Sequence, residues 1–283
     1  MLTCKLQGGL GNQMFQIFCL TSLAKTHEVR WYIVPERAIG NRPSYWFTVF
    51  SPLTPWFKPD YCYPLSNLHE DLLVRSPSNI ITTLLKNTNT LLVGYFQDYR
   101  LFESNYLDIC QLLHIDEVKK HISKVYEYPY SETVSIHFRY GDYKNLIDHY
   151  NILQYMYYYN ALSHVVTYES TVVKPKHVLI FYEQPDYGDV SAIVDRLKLT
   201  PMFSKLSFTY IDTSISDWAQ MFIMSNCAHN IIANSTFSWW GAYLNSSPDK
   251  IVCYPSVWYR KKLSQVNTDG LKVPTWHCIT SNA

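Results

Sequence analysis

No aspartate in this chain of 283 residues stands two positions from another, so the D-x-D spacing that often holds a divalent ion is missing, and no metal site is expected. No two cysteines form a C-x-x-C pair. The seven (Cys4, Cys19, Cys62, Cys110, Cys227, Cys253, Cys278) are odd in number and widely spaced, which fits buried thiols in a reducing compartment better than a disulfide framework or a zinc site. No apolar run approaches the roughly 18 residues of a membrane span. No charged and then apolar leader precedes the glycines at Gly8 and Gly9, which come too early for a removable one. The expectation is a cytoplasmic protein. Charge is sparse as well: 17% of residues against the roughly 25% of ordinary soluble domains. With 24 basic and 23 acidic residues the net charge is +1, so no global field invites nucleic acid or an anionic membrane. Any anion bound here has to be held by local groups.

What the chain has in quantity is apolar and aromatic residues, 47% and 16%, with 24 Tyr and 8 Trp. Tyr and Trp pair an apolar face with a polar tip, which suits sugars and nucleobases but also suits plain cores. The length accommodates two domains of about 100–150 residues. Periodicity predicts a strand at 2–6, a glycine turn, a helix over 13–26 and strands at 29–34 and 90–95. The stretch 35–64, rich in Pro and aromatics, shows no period and is long for a loop, so it reads as a functional excursion over a site. Strands then follow at 133–138, 177–182, 207–211, 229–233 and 251–254, with helices over 188–199, 217–227 and from 237. That alternation predicts a doubly wound α/β half. The break near 117–130 divides the chain into lobes 1–125 and 126–283.

Three segments carry chemistry. Gly8-Gly9-Leu10-Gly11-Asn12-Gln13 lies between a strand and a helix, where glycines let backbone N–H groups approach a ligand. It is not the dinucleotide fingerprint, because the third glycine of that spacing is absent, and a tight turn is the plain alternative. His137-Phe138-Arg139-Tyr140-Gly141-Asp142-Tyr143 leaves the C-terminal end of an apolar strand, where open α/β sheets bind ligands. Arg139 offers a planar fork suited to phosphate; a structural Arg139–Asp142 pair is the other reading. Asn234-Ser235-Thr236-Phe237-Ser238-Trp239-Trp240-Gly241 joins a strand to a helix that Ser235 or Thr236 can cap, which leaves N–H groups for an anion; Trp239 and Trp240 suit a core.

These segments resemble the α-1,2-fucosyltransferase family, which shows G-G-L-G-N-Q-(M/L)-F-Q, H-x-R-R-G-D-Y and S-S-F-S-W-W-G-A-W-L in that order. Here they are matched from Gly8 to Gln16, His137 to Tyr143 and Ser235 to Leu244, with support from Gly94-Tyr95-Phe96-Gln97 and the run from Met224 to Asn234. The resemblance implies two Rossmann-like α/β lobes of glycosyltransferase type B. It implies inverting transfer from GDP-fucose, a donor substrate needing no cofactor, to a glycan acceptor. The C-terminal lobe would hold the donor and the N-terminal lobe the acceptor, where the aromatic stretch 45–63 either recognises it or is a packed loop. By position, Arg139 would grip the diphosphate and His137 would fix the donor. Asn234, Ser235, Thr236, Phe237 and Ser238 would line phosphate and ribose. Gly9, Leu10, Gly11, Asn12 and Gln13 would approach the diphosphate or fucose. Asp142 is the candidate base, or else orients Arg139. Two departures stand out: the second arginine of H-x-R-R is Tyr140, and the guanine-reading carboxylate is either Glu183 or Asp186.

Overall fold

Strands buried on both faces of a parallel sheet need no polar alternation, and the runs Thr133–His137 (TVSIH) and His177–Phe181 (HVLIF) have little. In the computed structural model, which describes residues 1–35, 43–169 and 172–281, both are central strands. The chain divides into two compact units. One comprises Met1–Glu117 with Asp269–Leu271, the other Val118–Thr268 with the residues from Lys272 onward.

In the first unit β1 (Leu2–Cys4) leads through the glycine loop into α1 (Leu10–Thr26). Next come β2 (Ser66–His69), α2 (Glu70–Arg75), α3 (Ser78–Asn87), β3 (Thr90–Val93) and α4 (Tyr106–Leu112). The sheet is parallel with the order β1-β3-β2. The strand expected at 29–34 does not form. Only single bridges, Leu2 to Trp31 and Ile33 to Phe57, hold that segment, because its neighbours pair with it one residue at a time. Part of the stretch 35–64 lies outside the described residues. Its remainder is a packed segment, with Tyr45, Trp46, Phe50 and Leu53 buried and Phe47 and Tyr63 exposed.

After α5 (Ile115–Val125), the second unit runs β4 (Thr133–His137), α6 (Tyr155–Thr167), β5 (His177–Phe181), α7 (Tyr187–Lys198), β6 (Ser207–Tyr210), α8 (Asp217–Asn226), β7 (His229–Ile231), α9 (Thr236–Tyr243), β8 (Val252–Pro255) and β9 (His277–Ile279). All six strands are parallel in the order β6-β5-β4-β7-β8-β9. Counted within the unit this is 3-2-1-4-5-6, the doubly wound order whose ligand crevice opens where the winding reverses. The reversal falls between β4 and β7. The core beneath it includes Val134, Ile136, Phe138, Tyr158, Ile180 and Ile231. The two α/β units on parallel sheets agree with the expected fold class.

Candidate functional site

At the C-terminal end of β4, His137 is 7% exposed, with Nδ1 buried and unpartnered. Burial first, and then the Arg139 charge, push its imidazole down to about 3, so it is neutral at physiological pH. Its ring lies 5.5 Å from that of Phe237, the first direct link between the two segments at the switch point. A second link is the Tyr143 hydroxyl, which donates to Asn234 O at 3.1 Å.

Arg139 follows where the strand has ended. Its side chain is 13% exposed and its two terminal nitrogens pair with different carboxylates, Glu183 and Asp142. The guanidinium also lies 5.0 Å over the Tyr143 ring, which stacks on Tyr150 at 4.0 Å. Burial pulls the pKa of Arg139 down, but Glu183, Tyr143 and Asp142 more than restore it, so the net direction is upward. The carboxylates thus engage two of the five N–H donors of a cation that stays charged. Glu183 and Asp142 are themselves 46% and 58% exposed.

The loop carrying these groups is fixed from below. Asp186 is 3% exposed and both its oxygens are engaged, Oδ2 by the Gly141 N–H and Oδ1 by Lys144 Nζ, each at 2.8 Å. Lys144 also donates to Asp189 at 2.6 Å, and the Asp186 bond, then the Asp189 bond, raise its pKa. Gly141 has φ +36, and a Cβ there would meet Glu183 Oε2 at 2.8 Å. Only glycine lets the backbone pass so close to that carboxylate. Tyr140, where the resembling family has arginine, is 3% exposed and donates its hydroxyl to Leu153 O at 3.0 Å. Here the position anchors the loop to the core.

Across the switch point, Ser235 is the N-cap of α9, yet its hydroxyl makes no capping bond. No acidic residue sits in the first turn of α9, and the leading N–H groups of a helix have no intrahelical acceptor. The helix therefore presents its positive end at the crevice. Asn234 and Ser238 are fully buried. Asn234 donates to Asn151 O and Trp258 O at 2.9 Å each, and Ser238 Oγ donates to Ser235 O at 3.3 Å. Both hold the turn in shape, while Asn234 Oδ1 is buried without a hydrogen-bond partner. Trp239 and Trp240 are core residues.

Gly9, Leu10, Gly11, Asn12 and Gln13 stand in the first unit. Leu10 and Gln13 are buried, and Gln13 Nε2 donates to Gly8 O at 3.0 Å. Gln16 Nε2 donates to Gly94 O at 2.8 Å and Gln97 Nε2 to Asn12 Oδ1 at 3.0 Å, tying two of the segments noted in the sequence together. Gly8 has φ +73 with Asn12 packed 2.4 Å from where a Cβ would sit. The Asn12 and Gln13 backbone N–H groups donate to Gly9 O at 3.0 and 3.1 Å, closing the first turn of α1. Sequence reasoning missed Lys144, Glu70 and Asn151. Glu70 accepts from the Tyr95 and Gln97 N–H groups, and Asn151 accepts from Arg260. Glu70 directly follows β2, a strand too mixed to show a period, and Lys144 and Asn151 lie outside the strands and α-helices, so nothing local marked them.

All seven cysteines are free thiols, four of them buried. Among the described residues no three His, Cys, Asp or Glu side chains are grouped to hold a metal ion, and no helix is long and apolar enough to cross a membrane.

Comparison with known proteins extends the picture. The O-antigen biosynthesis glycosyltransferase WbnK of Escherichia coli is 33% identical over 194 residues, which is 65% of this chain and 59% of that protein. An Escherichia coli alpha-1,2-colitosyltransferase is 24% identical over 176 residues, 60% of this chain and 56% of that one. The matched region thus spans less than two thirds of either relative. In fold, a mutant of Arabidopsis thaliana FUT1 in complex with GDP superposes with a TM-score of 0.52 at 12% identity, over 86% of this chain and 68% of that one. The Escherichia coli ADP-heptose lps heptosyltransferase II gives 0.51 at 11% identity, over 98% and 89%. The family model of Glycosyl transferase family 11 matches residues 1–280, and the chain belongs to that family.

Proposed function

We propose that this chain transfers L-fucose from GDP-fucose, with inversion, to a hydroxyl of a galactoside, forming an α-1,2 linkage. The observation that carries the reading is that Arg139, just after β4, and the α9 N-terminus, just after β7, follow the two strands that flank the switch point and are linked by the His137–Phe237 ring contact, in a member of this family. When the bond from the anomeric carbon to phosphate breaks, GDP departs with growing negative charge. A guanidinium fork and aligned N–H groups stabilise that charge without rearranging. The N-terminal turn of α9 offers its positive end to the phosphate, and Ser235 offers a hydroxyl that its helix does not use. No step requires a metal ion or a cofactor.

Glu183 is the carboxylate we assign to guanine. Asp186 has both oxygens engaged below the loop, whereas Glu183 is half-exposed and held only through Arg139. A donor that offers guanine N–H groups to Glu183 and a diphosphate to Arg139 separates the ion pair and satisfies both partners. Neutral His137, with its unpartnered nitrogen, offers a hydrogen bond to the donor and not a charge. Asp142 orients Arg139 at 2.5 Å and, as an exposed carboxylate, is our candidate to take the acceptor proton late in the displacement. The free thiols support a reducing compartment, the cytosol, as the place of work.

The test is transfer itself: GDP-fucose with a panel of β-galactosides and other short glycans, in the presence of a chelator. Fucosylated galactoside, linked at O2, is the expected product. No turnover with any acceptor and no release of fucose from GDP-fucose alone refute the reading. One relative is named for colitosyl transfer, so the same panel with a colitosyl donor decides the second reading, that the family site here moves that sugar instead.

A further inference from the structure

At the far end of α1 from the glycine loop, the helix closes in a Schellman motif: the Val29 N–H reaches Ala24 O at 3.0 Å and the Glu28 N–H reaches Lys25 O at 3.3 Å. That motif needs a left-handed residue after the cap, which glycine supplies without steric conflict. Here the residue is Glu28, at φ +54. An exposed, non-glycine residue held in that region stores strain, and such outliers gather where a ligand is bound.

Glu28 lines a cavity of about 410 Å³. Two indoles line it as well, Trp31 and Trp56, stacked at 4.9 Å with planes 8° apart. Trp56 and Asp108 also line a second cavity of about 460 Å³, so the two adjoin across that indole. Around the first cavity stand two cations, Lys25 and Arg30, and two acids, Glu28 and Asp108, with Lys25 and Asp108 paired between α1 and α4. The charges cancel, which gives neither an anion nor a cation an advantage, yet they supply many donors and acceptors. Flat aromatic faces beside a neutral set of hydrogen-bonding groups match a ligand with an apolar ring face and a rim of hydroxyls. α1 has 17 residues. The groove's lining on it begins at Thr21, about 16 Å along the helix from Leu10 at about 1.5 Å per residue, so the groove is a different place in the same unit from the glycine loop.

We infer that the first unit carries a second, non-reacting site for a neutral glycan, built on Trp31 and Trp56 with Glu28 and Asp108 as hydrogen-bonding rim. This rests on the groove alone and not on the donor reading, so it is tested without nucleotide. The full chain, labelled with 5-fluorotryptophan, is titrated with lactose and with lacto-N-tetraose; Trp31→Phe and Trp56→Phe assign the two resonances. Saturable shifts of both are expected with sugar, and none with GDP. Trp56→Ala abolishes the response. Glu28→Gly weakens binding about tenfold, the loss of one charged hydrogen bond, while raising the melting temperature by about 2–4 °C as strain is released. Asp108→Asn, which keeps the shape, weakens binding with no such gain. Absence of shifts at saturating sugar overturns the proposal, as does unchanged affinity in folded Glu28→Gly and Asp108→Asn. Shifts that track protein concentration without sugar, with doubling of mass, overturn it in favour of a self-association face.

Discussion

Arg139 holds three neighbours at once, two carboxylates and an aromatic face, and this decides which substitution is informative. Lysine keeps the charge but cannot span Glu183 and Asp142 or lie flat on Tyr143. Arg139→Ala is expected to lower kcat about a hundredfold or more, the scale of losing a main electrostatic stabiliser. Arg139→Lys is expected to recover little of that; near-normal turnover in either variant removes Arg139 from the mechanism. Glu183→Gln gives a different readout. If Glu183 accepts from guanine, wild type prefers GDP over inosine diphosphate, which lacks the exocyclic amine, by about tenfold. Glu183→Gln narrows that preference, and calorimetry with the two nucleotides measures it. Gly141→Ala adds a Cβ 2.8 Å from Glu183 Oε2 at a φ of +36. It is expected to lose about 1–2 kcal/mol of stability and to weaken the nucleotide together with Glu183→Gln. The sequence made Arg139 and Asp142 legible because a strand end announces itself. It left Glu183 and Asp186 equivalent, since only the fold places one beneath the loop and the other beside the guanidinium. Asn234 has a second task that the sequence did not show: its amide nitrogen ties the turn to Asn151 and Trp258 from inside.

The geometry of α9 depends on how closely it lies against α8. A Cβ at Gly241 would stand 2.9 Å from Met224 Cβ, the root of that side chain, which is fixed by the backbone and cannot swing aside as a side-chain tip can. At the other end of the helix, Lys119 donates to Leu244 O at 2.7 Å and Lys250 to Ala242 O at 2.9 Å, so its last carbonyls meet cations from two distant segments. Gly241→Ala is expected to lose about 1–3 kcal/mol by overpacking and, by tilting α9, to raise the KM for the donor more than it lowers kcat. Denaturant melts paired with steady-state kinetics check both parts; an unchanged KM separates the helix angle from the phosphate site. Long apolar strands such as β4 and β5 and the helix α1 were legible from pattern alone. β2, reading Ser-Asn-Leu-His, and β9, reading His-Cys-Ile, were not, because three or four mixed residues carry no period and owe their conformation to the strand alongside. α6 was missed for a related reason: a helix opening Tyr-Met-Tyr-Tyr-Tyr looks like a strand by propensity and is settled only by the core it packs on.

Across the whole molecule, five of the ten histidines bear on how stability responds to pH. His27, His137, His164, His229 and His277 all have pKa values below the ordinary imidazole value, burial being the first cause in each. The folded chain therefore binds fewer protons than the unfolded one whenever unfolded imidazoles protonate, below about pH 6.5. Unfolding stability rises with pH in that window. The stabilisation is complete above about pH 6.5 and is lost as pH falls toward the folded values; for His137 the window extends down to about 3. Urea midpoints are expected to decline steadily as pH falls from 6.5 to 5. His137→Asn removes one titrating site and is expected to reduce that slope by up to about 1.4 kcal/mol per pH unit. The variant also separates stability from catalysis. A neutral, buried His137 gives the rate no limb near pH 6.5. If a limb appears there in kcat for wild type and disappears in His137→Asn, the imidazole takes up a proton during turnover, and its place in the mechanism becomes that of an acid or base and not of a neutral hydrogen-bonding group.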